Sequence, residues 1–151
     1  MCLIVDNDVA HRVLLRREDP DFAPVHDALF RTAPGMTARL VYGGRLRDEY
    51  YGNHATRAVI LELDRKGRAR PISDAAIARE SAAASTIGLE SNDDHIIGLA
   101  RASGVRLLCT LDAKLKRDFK NQRLVAGKGS VYCKAMHRHL LQRACRRLRL
   151  P

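Results

Sequence analysis

Residues 91–118, SNDDHIIGLARASGVRLLCTLDAKLKRD, read as a helix followed by a strand, with acids at both ends of the unit. Ser91 stands three residues before Asp94, as in a capping box, and Ile96, Ile97, Ala100 and Ser103 then recur at helical spacing. A helix starting near Asn92 is therefore expected, with Gly104 as its stop. Residues 105–110 form a short apolar run rich in branched side chains, the pattern of a strand buried on both faces. Asp112 falls just beyond it. Ligands of open α/β sheets bind outside the carboxyl ends of the strands, so an acid at this position is placed for chemistry. Local rules also allow a plainer role, with Asp93 and Asp94 complementing a helix dipole and Asp112 capping the next helix.

The same arrangement opens the chain. Cys2, Leu3, Ile4 and Val5 make an apolar strand that runs into Asp6, Asn7 and Asp8, and residues 9–15 continue as a short helix capped by Asp8 or Asn7. After a break at Asp19, Pro20 and Asp21, residues 24–30 are helical and pack Val25, Leu29 and Phe22. Pro34 and Gly35 mark a turn, residues 39–42 a second strand, and residues 43–51 the start of another helix. Glu49, about two turns into that helix, can project back over the crevice near Asp6; an ion-paired surface glutamate beside Arg45 and Arg47 is the competing reading. Residues 55–63 stay helical, and 64–70 read as an exposed charged connection ending at Pro71. Ser73 or Asp74 caps a further helix through Ala84, in which Glu80 is a spare acid. Residues 131–133 form a last edge strand before a helix at about 135–147. That helix carries an apolar stripe of Met136, Leu140, Leu141 and Ala144, with Arg138, Arg143, Arg146 and Arg147 outside it.

Strands alternating with helices imply one domain spanning the whole chain. Its architecture is a three-layer α/β/α sandwich around a mostly parallel sheet. The length of 151 residues and 46% hydrophobic content suffice for a single core. The four cysteines make no Cys-x-x-Cys pair, and no signal peptide or long apolar span is visible, which points to a cytoplasmic protein with reduced thiols and no membrane. The net charge of +10 is uneven: residues 119–151 hold nine Lys or Arg and no acid. Such asymmetry favours a polyanionic partner, nucleic acid first, without telling RNA from DNA.

Asp6, Glu49, the Asp93/Asp94 pair and Asp112 come from four distant places and are all expected at one sheet edge. Packing gives no reason to gather carboxylates whose repulsion and desolvation must be offset by protons or cations. An oxygen-only ligand set suits Mg²⁺ or Mn²⁺, and no Cys/His spacing supports structural zinc. His137 and His139, two residues apart, read as phosphate or solvent contacts.

LIVDND at 3–8, RLRDEYYGN at 45–53 and DDHIIGLARASGVRLLCTLDAKLKRDF at 93–119 resemble three segments of the PIN-like domain nucleases. These are the opening strand with its first acid, the glutamate-bearing segment after strand two, and the acid-led helix and strand with the Thr-x-Asp and Asp-Phe that follow. The resemblance implies a PIN-like fold and an acidic site of Asp6, Glu49, Asp94 and Asp112, with Asp93 competing for the third place. Thr110 would support Asp112, Asp118 would be a peripheral acid, and Asn7 and Ser91 would add polar contacts. It further implies metal-dependent cleavage of RNA, often as the toxin of a toxin–antitoxin pair, which would bring a cognate antitoxin as partner; a homodimer stays open. Lys114, Lys116, Arg117 and the C-terminal arginines would hold the RNA backbone.

Two other readings stand beside it. LIVDNDVA also resembles the opening of haloacid-dehalogenase phosphatases, with Asp6 as nucleophile and Asp8 as acid/base. The lysine which that family needs ahead of a later Asp pair is missing, since no lysine lies between Lys66 and Lys114. The third reading is a non-catalytic nucleic-acid-binding module working through the basic C-terminal helix.

Overall fold

A computed structural model of the chain describes residues 2–16, 18–31 and 38–142. Five strands, β1 (Cys2–Val5), β2 (Arg39–Tyr42), β3 (Ala69–Pro71), β4 (Leu107–Cys109) and β5 (Ser130–Tyr132), form one sheet in the order β3-β2-β1-β4-β5. Every pairing is parallel, so the sheet is wholly rather than mostly so. All residues of β1 and β4 are buried. Parallel strands buried on both sides require cover on both faces, which the flanking helices supply, as expected of an α/β protein.

Seven α-helices connect the strands: α1 (Asn7–Ala10), α2 (Ala23–Phe30), α3 (Gly44–Tyr51), α4 (His54–Arg65), α5 (Asp74–Ile87), α6 (Asp94–Ser103) and α7 (Ala113–Lys120). α1 runs into a π-helical turn at His11–Leu15, and a 3₁₀ helix covers Ala135–Gln142. The core is aliphatic and aromatic, with Leu3, Ile4, Leu40, Ile96, Leu108, Phe22, Tyr50 and Tyr132 buried. α5 and α6 pack closely because Gly98 has no side chain; a Cβ there would meet Ser81 Oγ at 2.0 Å and the Ile77 carbonyl at 2.8 Å.

Several local expectations need correction. The connection at 64–70 contains β3, a short edge strand that ends on Pro71, where a missing N–H costs the sheet nothing. The first helix is capped neither by Asp8 nor by Asn7: Asp6 is the N-cap and makes no side-chain cap bond. No capping box forms at Ser91. α6 begins two residues after Asn92, at Asp94, with Asp93 as its N-cap; the Ser91 hydroxyl donates to Asp118 at 2.6 Å and accepts the Asp93 N–H at 3.3 Å. Ser73, not Asp74, caps α5 by accepting from the Ala76 N–H. The C-terminal segment is 3₁₀ over the described residues. Leu140 and Leu141 are buried, but Met136 is exposed instead of joining an apolar stripe. His137 is also structural there, its Nδ1 accepting the Cys133 N–H at 3.1 Å. Pro34, Gly35, Ala144, Arg143, Arg146, Arg147 and the rest of the expected helix lie outside the described residues.

Candidate active site

β1, first in the chain, has β2 on one side and β4 on the other, so the strand order reverses beside it. A parallel sheet opens a crevice at such a switch point, past the strands' carboxyl ends. Asp6 stands there, one residue after β1, with its N–H donating to the Cys109 carbonyl at 2.9 Å. The loop after β4 faces it. The Thr110 hydroxyl lies 2.8 Å from Asp6 Oδ2 and 3.4 Å from Asp8 Oδ2, and the Leu111 N–H donates to Asp8 Oδ2 at 3.1 Å. Thr110 therefore supports Asp6 directly, and it also accepts the Asp112 N–H at 3.1 Å.

Asp6 is almost fully buried, and its carboxyl is pushed up to about 7. Burial is the main cause; the Asp8 charge adds to it, the Thr110 hydroxyl pulls the other way, and the charge of Asp93 contributes from α6. Asp93, the N-cap of α6, is itself raised, first by burial and then by Asp112 and Glu49, against the opposing charges of His95 and Arg45. The two shifts tie together β1, α3, α6 and the loop after β4. Asp93 is thus the group whose charge reaches Asp6 and which itself feels Asp112 and Glu49.

Glu49 reaches this edge because α3 starts immediately after β2. Gly43 permits that start, since a Cβ on it would meet the Ile72 carbonyl oxygen at 2.6 Å. The buried Tyr50 hydroxyl donates to the Val5 carbonyl, locking α3 to the end of β1. Glu49 Oε1 lies 3.4 Å from Arg45 Nε and Oε2 3.5 Å from His95 Nε2, so it is both ion-paired and turned inward. Asp112 likewise has two positions in the structure's logic: its Oδ1 caps α7 by accepting the Leu115 N–H at 2.8 Å, and its charge is felt at Asp93.

Other residues stand apart. Asp94 is the half-buried first residue of α6, one position after Asp93. Asn7 is exposed at the start of α1. Asp118 is buried at the far end of α7, where it accepts from the Glu90 N–H (2.9 Å), the Ser91 N–H (2.9 Å) and the Ser91 hydroxyl (2.6 Å). That clamp holds the loop which delivers Asp93, and Glu80 is similarly occupied by Arg101 at 2.9 Å. Lys114 and Arg117 are exposed on α7, Lys116 half-buried, and Arg138 exposed on the 3₁₀ helix; Arg117 is paired with Glu90. Among the described residues no helix is long and apolar enough to cross a membrane.

Sequence reasoning passed over His95 and Asp8. The visible signal for His95 was an ionisable residue set directly against Ile96 and Ile97 on the apolar face of α6. Asp8 was weighed as a helix cap and as the second acid of a phosphatase, whereas it receives the Leu111 N–H and so ties the ends of β1 and β4 together.

The donor chemistry here, carboxylates with two of them raised by burial and crowding, fits a hard divalent cation. As placed, no three His, Cys, Asp or Glu side chains among the described residues converge on one point.

No protein-family model and no curated protein matches the chain. Among solved structures it is similar to VapBC2 from Rickettsia felis, crystallised bound to a DNA fragment from their promoter. The TM-score is 0.52 at 14% identity, over 88% of this chain and 100% of that one. At that identity the likeness is one of fold, and it joins this α/β chain with its wholly parallel five-stranded sheet to that architecture.

Proposed function

We propose that the chain is a metal-dependent endoribonuclease that hydrolyses RNA phosphodiester bonds at the edge formed by Asp6, Glu49, Asp93 and Asp112. One observation carries the proposal: at the sheet's switch point Asp6 is pushed up to about 7, chiefly by burial and by Asp8 with a smaller contribution from Asp93, and Asp93 is itself raised by burial and by Asp112 and Glu49. Carboxylates gathered without a structural need are stabilised by a cation. The PIN-like segments and the fold likeness to VapBC2 support the same reading, and with it a toxin role and an antitoxin partner.

Asp6, Asp93, Glu49 and Asp112 would hold Mg²⁺ or Mn²⁺, which supplies a water of lowered pKa and neutralises charge on the scissile phosphate. Thr110 keeps Asp6 in place through its hydroxyl, and the Asp118–Ser91 clamp keeps the Asp93 loop in place. Lys114, Lys116 and Arg138 hold the RNA backbone by charge and add little sequence readout. No side-chain nucleophile is required.

The test is cleavage of pooled RNA and single-stranded DNA in Mg²⁺, Mn²⁺ or chelator. If Asp6→Asn and Asp112→Asn both cleave RNA at the wild-type rate, the site is wrongly assigned. A non-catalytic nucleic-acid-binding module is the second reading, favoured by the spacing that leaves no three ligands on one point. It predicts salt-sensitive RNA binding with no cleavage in any metal.

A further inference from the structure

His95 is buried on the first turn of α6, 6% exposed, and neither of its ring nitrogens has a hydrogen-bond partner. A buried imidazole in that condition is rare, because polar groups withdrawn from water are nearly always paired. Nε2 lies 3.5 Å from Glu49 Oε2, a few tenths of an ångström beyond hydrogen-bond length. Glu49's other oxygen faces Arg45, whose side chain is 61% exposed, so water and salt weaken that contact far more than the buried one. Asp93 also feels the His95 ring. The ring therefore sits behind the acidic edge, against Glu49.

We propose that His95 is a positioning residue, whose Nε2–H holds Glu49 Oε2 and fixes the direction in which the Glu49 carboxylate faces Asp6 and Asp93. The inference rests on the nuclease reading and adds to it a residue that touches neither substrate nor metal. Groups that orient a ligand from behind typically change metal affinity about ten- to a hundredfold when removed.

The test uses the RNA-free protein and Mn²⁺, followed by electron paramagnetic resonance. His95→Phe keeps the bulk and removes the donor, while His95→Gln keeps an N–H₂ close to where Nε2 stood. His95→Phe is expected to weaken Mn²⁺ binding about tenfold or more and to lower kcat with little change in KM. His95→Gln should restore most of both. In a Glu49→Ala background, His95→Phe should have no further effect on Mn²⁺ binding. Wild-type affinity in His95→Phe overturns the proposal, as does an equal loss in Phe and Gln variants accompanied by an equal loss of thermal stability. If the wild-type protein binds no Mn²⁺, the nuclease reading fails separately, and ring ¹⁵N resonances decide the contact. A protonated Nε2 whose shift changes in Glu49→Ala supports it; an unchanged shift overturns it.

Discussion

Among the described residues two aspartates are buried, each facing a hydroxyl: Asp6 with Thr110 at 2.8 Å, and Asp118 with Ser91 at 2.6 Å. They differ in what surrounds them. Asp118 receives two backbone N–H groups as well as the hydroxyl, and its oxygens are spent on holding one loop. Asp6 shares its hydroxyl with Asp8, and the charges of Asp8 and Asp93 press on it. A buried carboxylate surrounded by donors is a structural part, whereas one surrounded by other carboxylates is held against its own electrostatics. Burial alone does not separate the two; the sign of the neighbours does.

Exchanging the two acids' neutral variants should break that distinction if it is false. Asp6→Asn is expected to cost about a thousandfold or more in RNA cleavage, several kcal/mol of transition-state stabilisation, while urea denaturation at pH 8 in chelator shows no loss of stability. Asp118→Ala should do the reverse. Three donors lose their acceptor at once, and denaturation should report a destabilisation of about 3 kcal/mol.

The third prediction sharpens which acid of the 93–94 pair belongs with Asp6. Asp93→Asn should reduce cleavage on the order of a hundredfold, and Asp94→Asn less than about threefold, read as kcat/KM on one RNA. Comparable losses would place Asp94 in the cluster as well. The smallest effect is a slope with pH. The unfolded chain gives up the Asp6 proton near 3.8 and the folded chain near 7, so the folded state binds more protons between those values. Stability in chelator should therefore fall as pH rises through that window and level off above it. In Asp6→Asn that component should disappear; a slope of unchanged size would show that Asp6 is not the group under pressure.

The sheet was legible in the sequence because its central strands are uninterrupted apolar runs, Leu3 to Val5 and Leu107 to Cys109, each stopped by a polar residue. β3 was not. Its three residues, Ala69, Arg70 and Pro71, are too few and too polar to show a pattern, and they pair only because β2 lies alongside. Ser91 misled for a different reason: a capping box is judged over four residues, but Ser91 stands ahead of the N-cap Asp93, in a loop whose hydroxyl and N–H groups bind Asp118, 27 positions away. Local spacing is equally silent on whether Asp93 or Asp94 faces Glu49, since neighbouring residues at a helix start differ only in direction. The basic C-terminal segment was legible as charge, but not as a 3₁₀ helix anchored by Leu140 and Leu141.

The contact between Thr110 and Asp6 spans 104 positions of the chain. A nascent chain with β1, β2 and β3 already made would still lack the strand that completes β1's other side and the loop that supports its first acid. Long-range pairings of this kind form late and slowly. Whatever chemistry the acidic edge performs, a growing or truncated chain cannot perform it.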